Sequence, residues 1–379
     1  MVGDEDQSIY GFRAAYPKAL IEFNKTYKKS KVLLMETNYR STRKILNAAN
    51  AFIKQNKNRK DKNIIPFVKD EGKIEHKIFN TIEEEYEYLL LQARKNKNKK
   101  IAVLYRNNDS AIPIIDIFNK NNIKFTIKES DANFFAHNIV KDIKSFIKFY
   151  IEPTNMDSFQ KIYYKINCGI SKNQVNSLIR YMNKRKNYNI LDNLIRMDET
   201  VYWQRKKLKE INLEFLLWKR KNSYGIVKSI FKVLEYEKYL KKKTQDINIQ
   251  KLNVIYSLAK QNPDILDFLD KLDELENKIK EGSKENPNIV LSTIHGSKGL
   301  EYDRVFIIDA IKGVLPSVEK TEDEKSEEFE IYEEEVRLFY VAMTRAKNSL
   351  EILTYKTAFG EEIEESSFVK DIFDKRIDK

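Results

Sequence analysis

The chain has 379 residues, 41% hydrophobic and 33% charged, with a formal net charge of +12. That is room for two domains, each with its own core, and a balance that favours an anionic partner such as nucleic acid. A single cysteine, Cys168, and three scattered histidines, His76, His137 and His295, exclude an internal disulfide and a cysteine-rich metal site. No run of roughly eighteen apolar residues occurs, and the first residues lack a signal-peptide pattern. We therefore expect a cytoplasmic protein without a membrane segment. The charge has a second source, because lysine, asparagine and isoleucine are abundant throughout, and such a bias raises charge without any binding role.

In chain order, Met1 and Val2 read as the tail of a strand, with Gly3 and Asp4 at its carboxyl end. Gln7, Tyr10, Phe12 and Arg13 follow. Aromatic faces in such a run can stack on bases whatever their sequence, worth about 1–3 kcal/mol per base; the alternative for Phe12 is a core position. Residues 32–35, VLLM, read as a strand. Ser41 is a candidate N-cap, and Ile45, Leu46, Ala49, Phe52 and Ile53 then recur at helical spacing. Tyr39 and Arg40 fall at the strand-to-helix junction, beside free backbone N–H groups that favour anions. An arginine there can fork onto phosphate oxygens, and a tyrosine can stack on a base. Residues 54–63 read as a solvated loop, and residues 101–111 as a buried strand ending in polar residues. Phe134 and Phe135 read as core packing.

From residue 139 the character changes: helical periodicity dominates and glycine is scarce. Basic clusters recur at residues 184–186, 205–207, 219–221 and 241–243, with Trp203, Trp218, Tyr236 and Tyr239 near them. The clusters read as solvated helix faces, with phosphate contact as the alternative. Residues 288–308, NIVLSTIHGSKGLEYDRVFII, then give two buried apolar strands around a turn that Gly296 and Gly299 leave free to bend. His295, Lys298 and Glu301 lie on that turn, at the carboxyl end of a buried strand, where open α/β sheets place their ligands. An acidic interval at residues 319–335 reads as an exposed loop and offers no fixed metal-ligand geometry. Val336, Phe339, Tyr340 and Met343 fall at i, i+3, i+4 and i+7, so that face packs inward, while Arg337 and Arg345 sit off the stripe. SLEILTY is a last strand and SSFVKDI a last helix.

Four of these stretches, GDEDQSIYGF, ETNYRST, HGSKGLEYDRVF and VAMTRAK, resemble in order motifs III, IV, V and VI of the superfamily 1 DNA helicases of the UvrD, PcrA and Rep group. The resemblance implies an α/β fold: a RecA-like parallel-sheet lobe, the second helicase lobe, interrupted by a mostly helical insertion. Its segments would be a first-lobe remnant at 1–15, the second lobe at 16–138 and 287–379, and the insertion at 139–286. It further implies that Gln7 senses the γ-phosphate of ATP, that Tyr39 meets the adenine, and that Arg40 and Arg345 reach the γ-phosphate, Arg345 as arginine finger. Glu301 would contact the ribose. Tyr10 and Phe12, with Arg13 beside them, would line the single-stranded DNA path, and His295 and Lys298 would couple that strand to the nucleotide. Relatives of this kind carry tryptophan where Phe12 stands. Arg106 would support the lobe, and the insertion would meet the duplex junction.

ATP and Mg2+ are the expected substrate and cofactor of such a helicase, which moves 3′ to 5′ along single-stranded DNA. Yet the chain lacks the P-loop pattern G-x-x-x-x-G-K-[ST] that holds the phosphates, and it lacks the Asp-Glu strand end that holds Mg2+. In the family both precede motif III. The chain is therefore expected to be the C-terminal part of a helicase, to partner a missing N-terminal RecA-like lobe, and to have no meaningful ATPase activity alone. The rival reading is a stand-alone module derived from a helicase that binds single-stranded DNA or a protein without catalysis.

Overall fold

The computed structural model describes residues 2–10, 18–95, 98–128, 132–184, 189–244, 249–281 and 288–374. They fall into two compact units, Met1–Ser130 with Gly282–Lys379, and Asp131–Glu281.

The first unit is built on a sheet that is, among the described residues, seven-stranded. Its strands are β3 (Lys73–Thr81), β4 (Ile101–Tyr105), β5 (Thr126–Ile127), β6 (Ile289–Thr293), β7 (Tyr302–Ile307), β8 (Ala346–Ala358) and β9 (Glu361–Glu362). The order is β3-β8-β7-β4-β6-β5, all parallel, and β9 returns antiparallel along β8. β4 and β6 are buried at every position, as an apolar run must be in a parallel sheet covered on both faces. The Arg43–Ile53 and Glu327–Met343 helices add Ile45, Phe52, Val336 and Phe339 to a core shared with Val305 and Phe368. The Ile82–Lys95 helix opens on Glu83, Glu84 and Glu85 and closes on Arg94 and Lys95, charges that suit its dipole. This is the expected α/β architecture, consistent with a RecA-like lobe.

Four local expectations change. Residues 32–35 form no strand: Leu33 and Met35 are exposed, and only the next residues, β1 (Thr37–Asn38), find a partner, β2 (Ile65–Pro66). An apolar run becomes a strand only where a ladder receives its backbone groups. Ser41 does not cap the helix. The N-cap is Thr42, and the two hydroxyls donate instead to carbonyls of β8, Ser41 to Ala346 at 2.8 Å and Thr42 to Lys347 at 3.0 Å. The acidic interval is only half a loop. Ser326 caps the Glu327–Met343 helix by accepting from Phe329 N–H at 3.1 Å, and acids gather in its first turn, where the dipole favours them. Glu335, further along, is buried against Arg106, whose Nε donates to it at 2.9 Å. Lastly, residues 54–63 are not simply solvated. Arg59 forks onto Asp6 at 2.8 and 3.1 Å, and half-buried Lys62 pairs with Asp4, Glu5 and Asp6.

The second unit contains ten helices and no strand among its described residues. Phe134 and Phe135 are buried there. So are Trp218 and Tyr236, which removes both from any surface role. Tyr236 donates its hydroxyl to Asp142 at 2.7 Å, and Lys165 pairs with the other oxygen of that carboxylate. The side chains of the 184–186 cluster lie outside the described residues.

Candidate functional site

The β6–β7 connection decides where the site forms. β6 and β7 flank β4 and run parallel to it, with Thr293 opposite Tyr105 at one edge and Arg304 opposite Ile101 towards the other. Residues 294–301 must therefore cross from the carboxyl edge of the sheet to its amino edge. Gly299 makes the turn with φ +85°, and nothing lies within 4 Å of the Cβ it lacks, so backbone conformation and not space requires glycine there. Gly296 keeps an ordinary φ. The crossing spreads the three ionisable residues of the turn between the two edges. His295 leaves the carboxyl edge, but Glu301 arrives at the amino end of β7, beside Arg345 at the amino end of β8, where Tyr302 N–H donates to the Arg345 carbonyl at 2.9 Å.

Four stretches meet here. Arg40 is delivered by the turn before the Arg43–Ile53 helix, a turn held by the Asn38 carboxamide oxygen, which accepts from Arg40 and Ser41 N–H at 2.9 and 2.8 Å. Arg40 Nε donates to Glu301 Oε2 at 2.9 Å. Lys347 holds the other oxygen at 2.6 Å. These hydrogen bonds, first that from Lys347 and then that from Arg40, pull the Glu301 carboxyl down to about 2. Lys347 escaped the sequence reading; its signal was a cation two residues beyond Arg345, at the start of β8.

Arg345 is the deepest member, only 1% exposed. It follows the Glu327–Met343 helix and does not project from it. Its Nε donates to Val341 O at 3.0 Å and its Nη1 to Leu300 O at 3.1 Å. Nη2 donates to Thr344 Oγ1 at 3.2 Å and, weakly, to Gln7 Oε1 at 3.5 Å. Every one of these acceptors is neutral. Burial, followed by the like charge of Arg40, brings the guanidinium down to about 10, so it remains a cation at neutral pH.

Gln7 sits in a 3-10 turn, Glu5–Gln7, capped by Asp4, which also accepts from Gln7 Nε2 at 2.6 Å. Lys298 donates to the Gln7 carbonyl at 2.8 Å and lies 5.0 Å from the Tyr10 ring centroid. Burial first, and the Arg345 charge second, push the Lys298 ammonium down. Tyr10 donates its hydroxyl to the His295 carbonyl at 3.2 Å, with the two rings 5.9 Å apart. Tyr39 stands 67% exposed with its ring 4.8 Å from that of Phe67. Gln7, Arg40, Glu301 and Arg345 thus converge, Tyr10, His295 and Lys298 group beside them, and Tyr39 flanks Arg40. Phe12 and Arg13 lie outside the described residues. Arg337 does not enter the cluster; it is buried, and its Nε donates to Ser8 O at 3.0 Å.

The family described as UvrD-like helicase C-terminal domain matches residues 33–357, and the UvrD/REP helicase N-terminal domain matches residues 1–28. The chain is 29% identical over 407 residues to the ATP-dependent DNA helicase PcrA of Staphylococcus epidermidis, covering 100% of this chain and 54% of the relative. It is 30% identical over 411 residues to the ATP-dependent DNA helicase Rep of Buchnera aphidicola, covering 95% and 59%. The putative ATP-dependent DNA helicase YjcD of Bacillus subtilis is 27% identical over 385 residues, covering 99% and 50%. The chain spans about half the length of the curated relatives it matches.

Proposed function

The chain belongs to the UvrD-like helicases, and from that membership we propose that it supplies the second-lobe half of the nucleotide site of an ATP-dependent 3′–5′ DNA helicase. The observation that carries this reading is Arg345: a cation buried to 1% exposure whose hydrogen-bond acceptors, among the described residues, are all neutral oxygens. A buried charge that no carboxylate hydrogen-bonds is costly, and Glu301 offsets it only through space. An anion arriving at the amino ends of β7 and β8 offsets that cost, and a triphosphate is such an anion.

On this reading the γ-phosphate meets Arg345 and draws Arg40 from Glu301. Gln7, already against Arg345, reports the phosphate to the turn carrying Tyr10. Glu301, freed of one cation and still an acceptor, takes a ribose hydroxyl, and Tyr39 covers the base. Charge building on the transferring phosphoryl group is stabilised by guanidinium groups fixed before reaction, the arrangement that makes an arginine finger effective. Mg2+ would come with the nucleotide. Among the described residues no group of three His, Cys, Asp or Glu suits a metal ion, and no step runs through one held by this chain. Lys298 couples the halves, since it touches both the Gln7 carbonyl and the Tyr10 face. Phe12 and Arg13 extend the Tyr10 surface along single-stranded DNA, and the helical unit, residues 131–281, meets the duplex junction.

The phosphate cage is incomplete in this sequence, which has no P-loop. ATP hydrolysis by this chain, with and without single-stranded DNA, tests the proposal. We expect no turnover alone, and turnover when a P-loop-containing first lobe is added. In that complex Arg345→Ala or Arg40→Ala should cut turnover by about 10³-fold or more and leave single-strand affinity nearly intact. Turnover by the chain alone would overturn the proposal. Single-strand binding with no turnover under any addition would favour a non-catalytic module built on Tyr10, His295 and Lys298.

A further inference from the structure

The Tyr202–Trp218 helix of the second unit is apolar on two opposite sides. One side buries Leu208, Ile211, Phe215 and Trp218. A core-facing helix ordinarily carries polar residues opposite such a stripe. Here the opposite side exposes Leu213, Leu216 and Leu217 at 61%, 56% and 50%. Their spacing, i, i+3 and i+4, makes one continuous ridge. Three leucines grouped this way differ from single exposed apolar residues, which need no explanation.

The charges at the two ends of the ridge are of one sign. Lys206 and Lys209 lie two turns and one turn before it on the same face, and Lys219 and Arg220 lie just beyond it; all four are exposed. None of the four forms an ion pair among the described residues, although Lys207, Lys221, Lys232 and Lys241 in the same unit all do. The one acid on the face, Glu210, is within 3.5 Å of Lys207. The surface is thus a leucine ridge with unpaired cations at both ends.

We propose that this face docks an acidic amphipathic helix of a partner protein. The partner's apolar stripe seats on Leu213, Leu216 and Leu217, and its carboxylates reach Lys206 and Lys209 at one end and Lys219 and Arg220 at the other. Residues 206 to 220 span roughly 21 Å at 1.5 Å per residue, so the partner needs about four helical turns. Helix-in-groove recognition reads such i, i+3, i+4 anchors, and the cations add steering and register. Nucleic acid fits the four cations but not the ridge between them, because leucine neither donates to phosphate nor stacks on a base. The inference is independent of the nucleotide site.

The test uses the full chain and a fluorescent synthetic 16-residue peptide, with leucine at i, i+3, i+4 and i+7 and Asp or Glu elsewhere. A peptide of scrambled order is the control. Anisotropy should show saturable binding of the patterned peptide only, weakening as salt rises. Leu216→Asp with Leu217→Asp should weaken it at least tenfold with the helical circular dichroism unchanged, since both side chains already face water. Lys206→Glu with Lys209→Glu leaves the leucines in place and should also weaken it, which keeps the test decisive if the leucine variant misfolds. No saturable binding, or equal binding by wild type and both variants, overturns the proposal. So does a wild type that dimerises through this ridge, or a charge-reversed variant that loses only duplex DNA.

Discussion

Each unit buries one telling ionic group, Asp142 in the helical unit and Arg345 in the sheet unit, and the two are handled in opposite ways. In the helical unit Asp142 meets Lys165 on one oxygen and the Tyr236 hydroxyl on the other, and all three residues are buried. Glu214 likewise accepts from Trp218 Nε1 at 3.1 Å and Ser229 Oγ at 2.6 Å, and pairs with Lys221. In the sheet unit Arg345 is buried as deeply, yet its partners are neutral, while Arg40, Glu301 and Lys347 remain partly exposed beside it. A matched ionic node fixes a core. An unmatched cation at the edge of a sheet is a standing cost, which a ligand can remove.

The largest effect should come from breaking the matched node. Asp142→Ala strands the Lys165 ammonium in the core and should cost about 3–5 kcal/mol, read as a lowered denaturant midpoint. An unchanged midpoint would mean that the node is not structural, and the comparison would fail. Arg345→Met should cost less, about 1–2 kcal/mol, because the variant loses hydrogen bonds but also a buried charge. If it costs as much as Asp142→Ala, Arg345 is a core tie and not a ligand-awaiting cation. Glu85 is the sharpest challenge within the sheet unit. It is wholly buried near Asp309, neither oxygen has a hydrogen-bond partner among the described residues, and burial pushes its carboxyl well up. The folded chain then keeps a proton that the unfolded chain releases above about pH 4.3, so stability falls as pH rises from there. Glu85→Gln should flatten that slope; an unaltered slope would put the charge cost elsewhere.

The sheet was largely legible because β4, β6 and β7 are apolar runs whose neighbours are apolar runs too, and burial follows from the residues themselves. Whether residues 32–35 become a strand depends on a partner ladder, which no local pattern records. The same limit hid most of the site's supports. Arg59 and Asp6 are 53 positions apart, and Lys347 and Glu301 come from different strands, so spacing could not join them. The crossing of residues 294–301 was missed for a related reason: a turn's residues announce a bend, but sheet order decides which edge it reaches. Gln7 and Arg345 were found only through the resemblance; Arg40 and Glu301 stood out at a strand-to-helix junction and a glycine-punctuated turn, but nothing local joined them to the other two.

The smallest predicted effect separates the two kinds of ionic group most finely. Lys347 and Arg40 hold the Glu301 carboxyl at about 2 in the folded chain, below its unfolded value of about 4.3. The folded state therefore binds its proton less readily. The resulting stability is fully present above about pH 4.3 and is lost as pH falls towards 2. Because the Glu301 side chain is 44% exposed, water screens the pair, and its contribution should be only about 0.2–1 kcal/mol. Glu301→Gln should thus lower stability by that amount at pH 7 and by almost nothing at pH 2, and added salt should shrink the difference. A loss as large as that of Asp142→Ala would make Glu301 a structural counter-ion that cannot leave Arg40. A small loss means that the carboxylate can release the arginine at little cost, which is what an incoming phosphate requires of it.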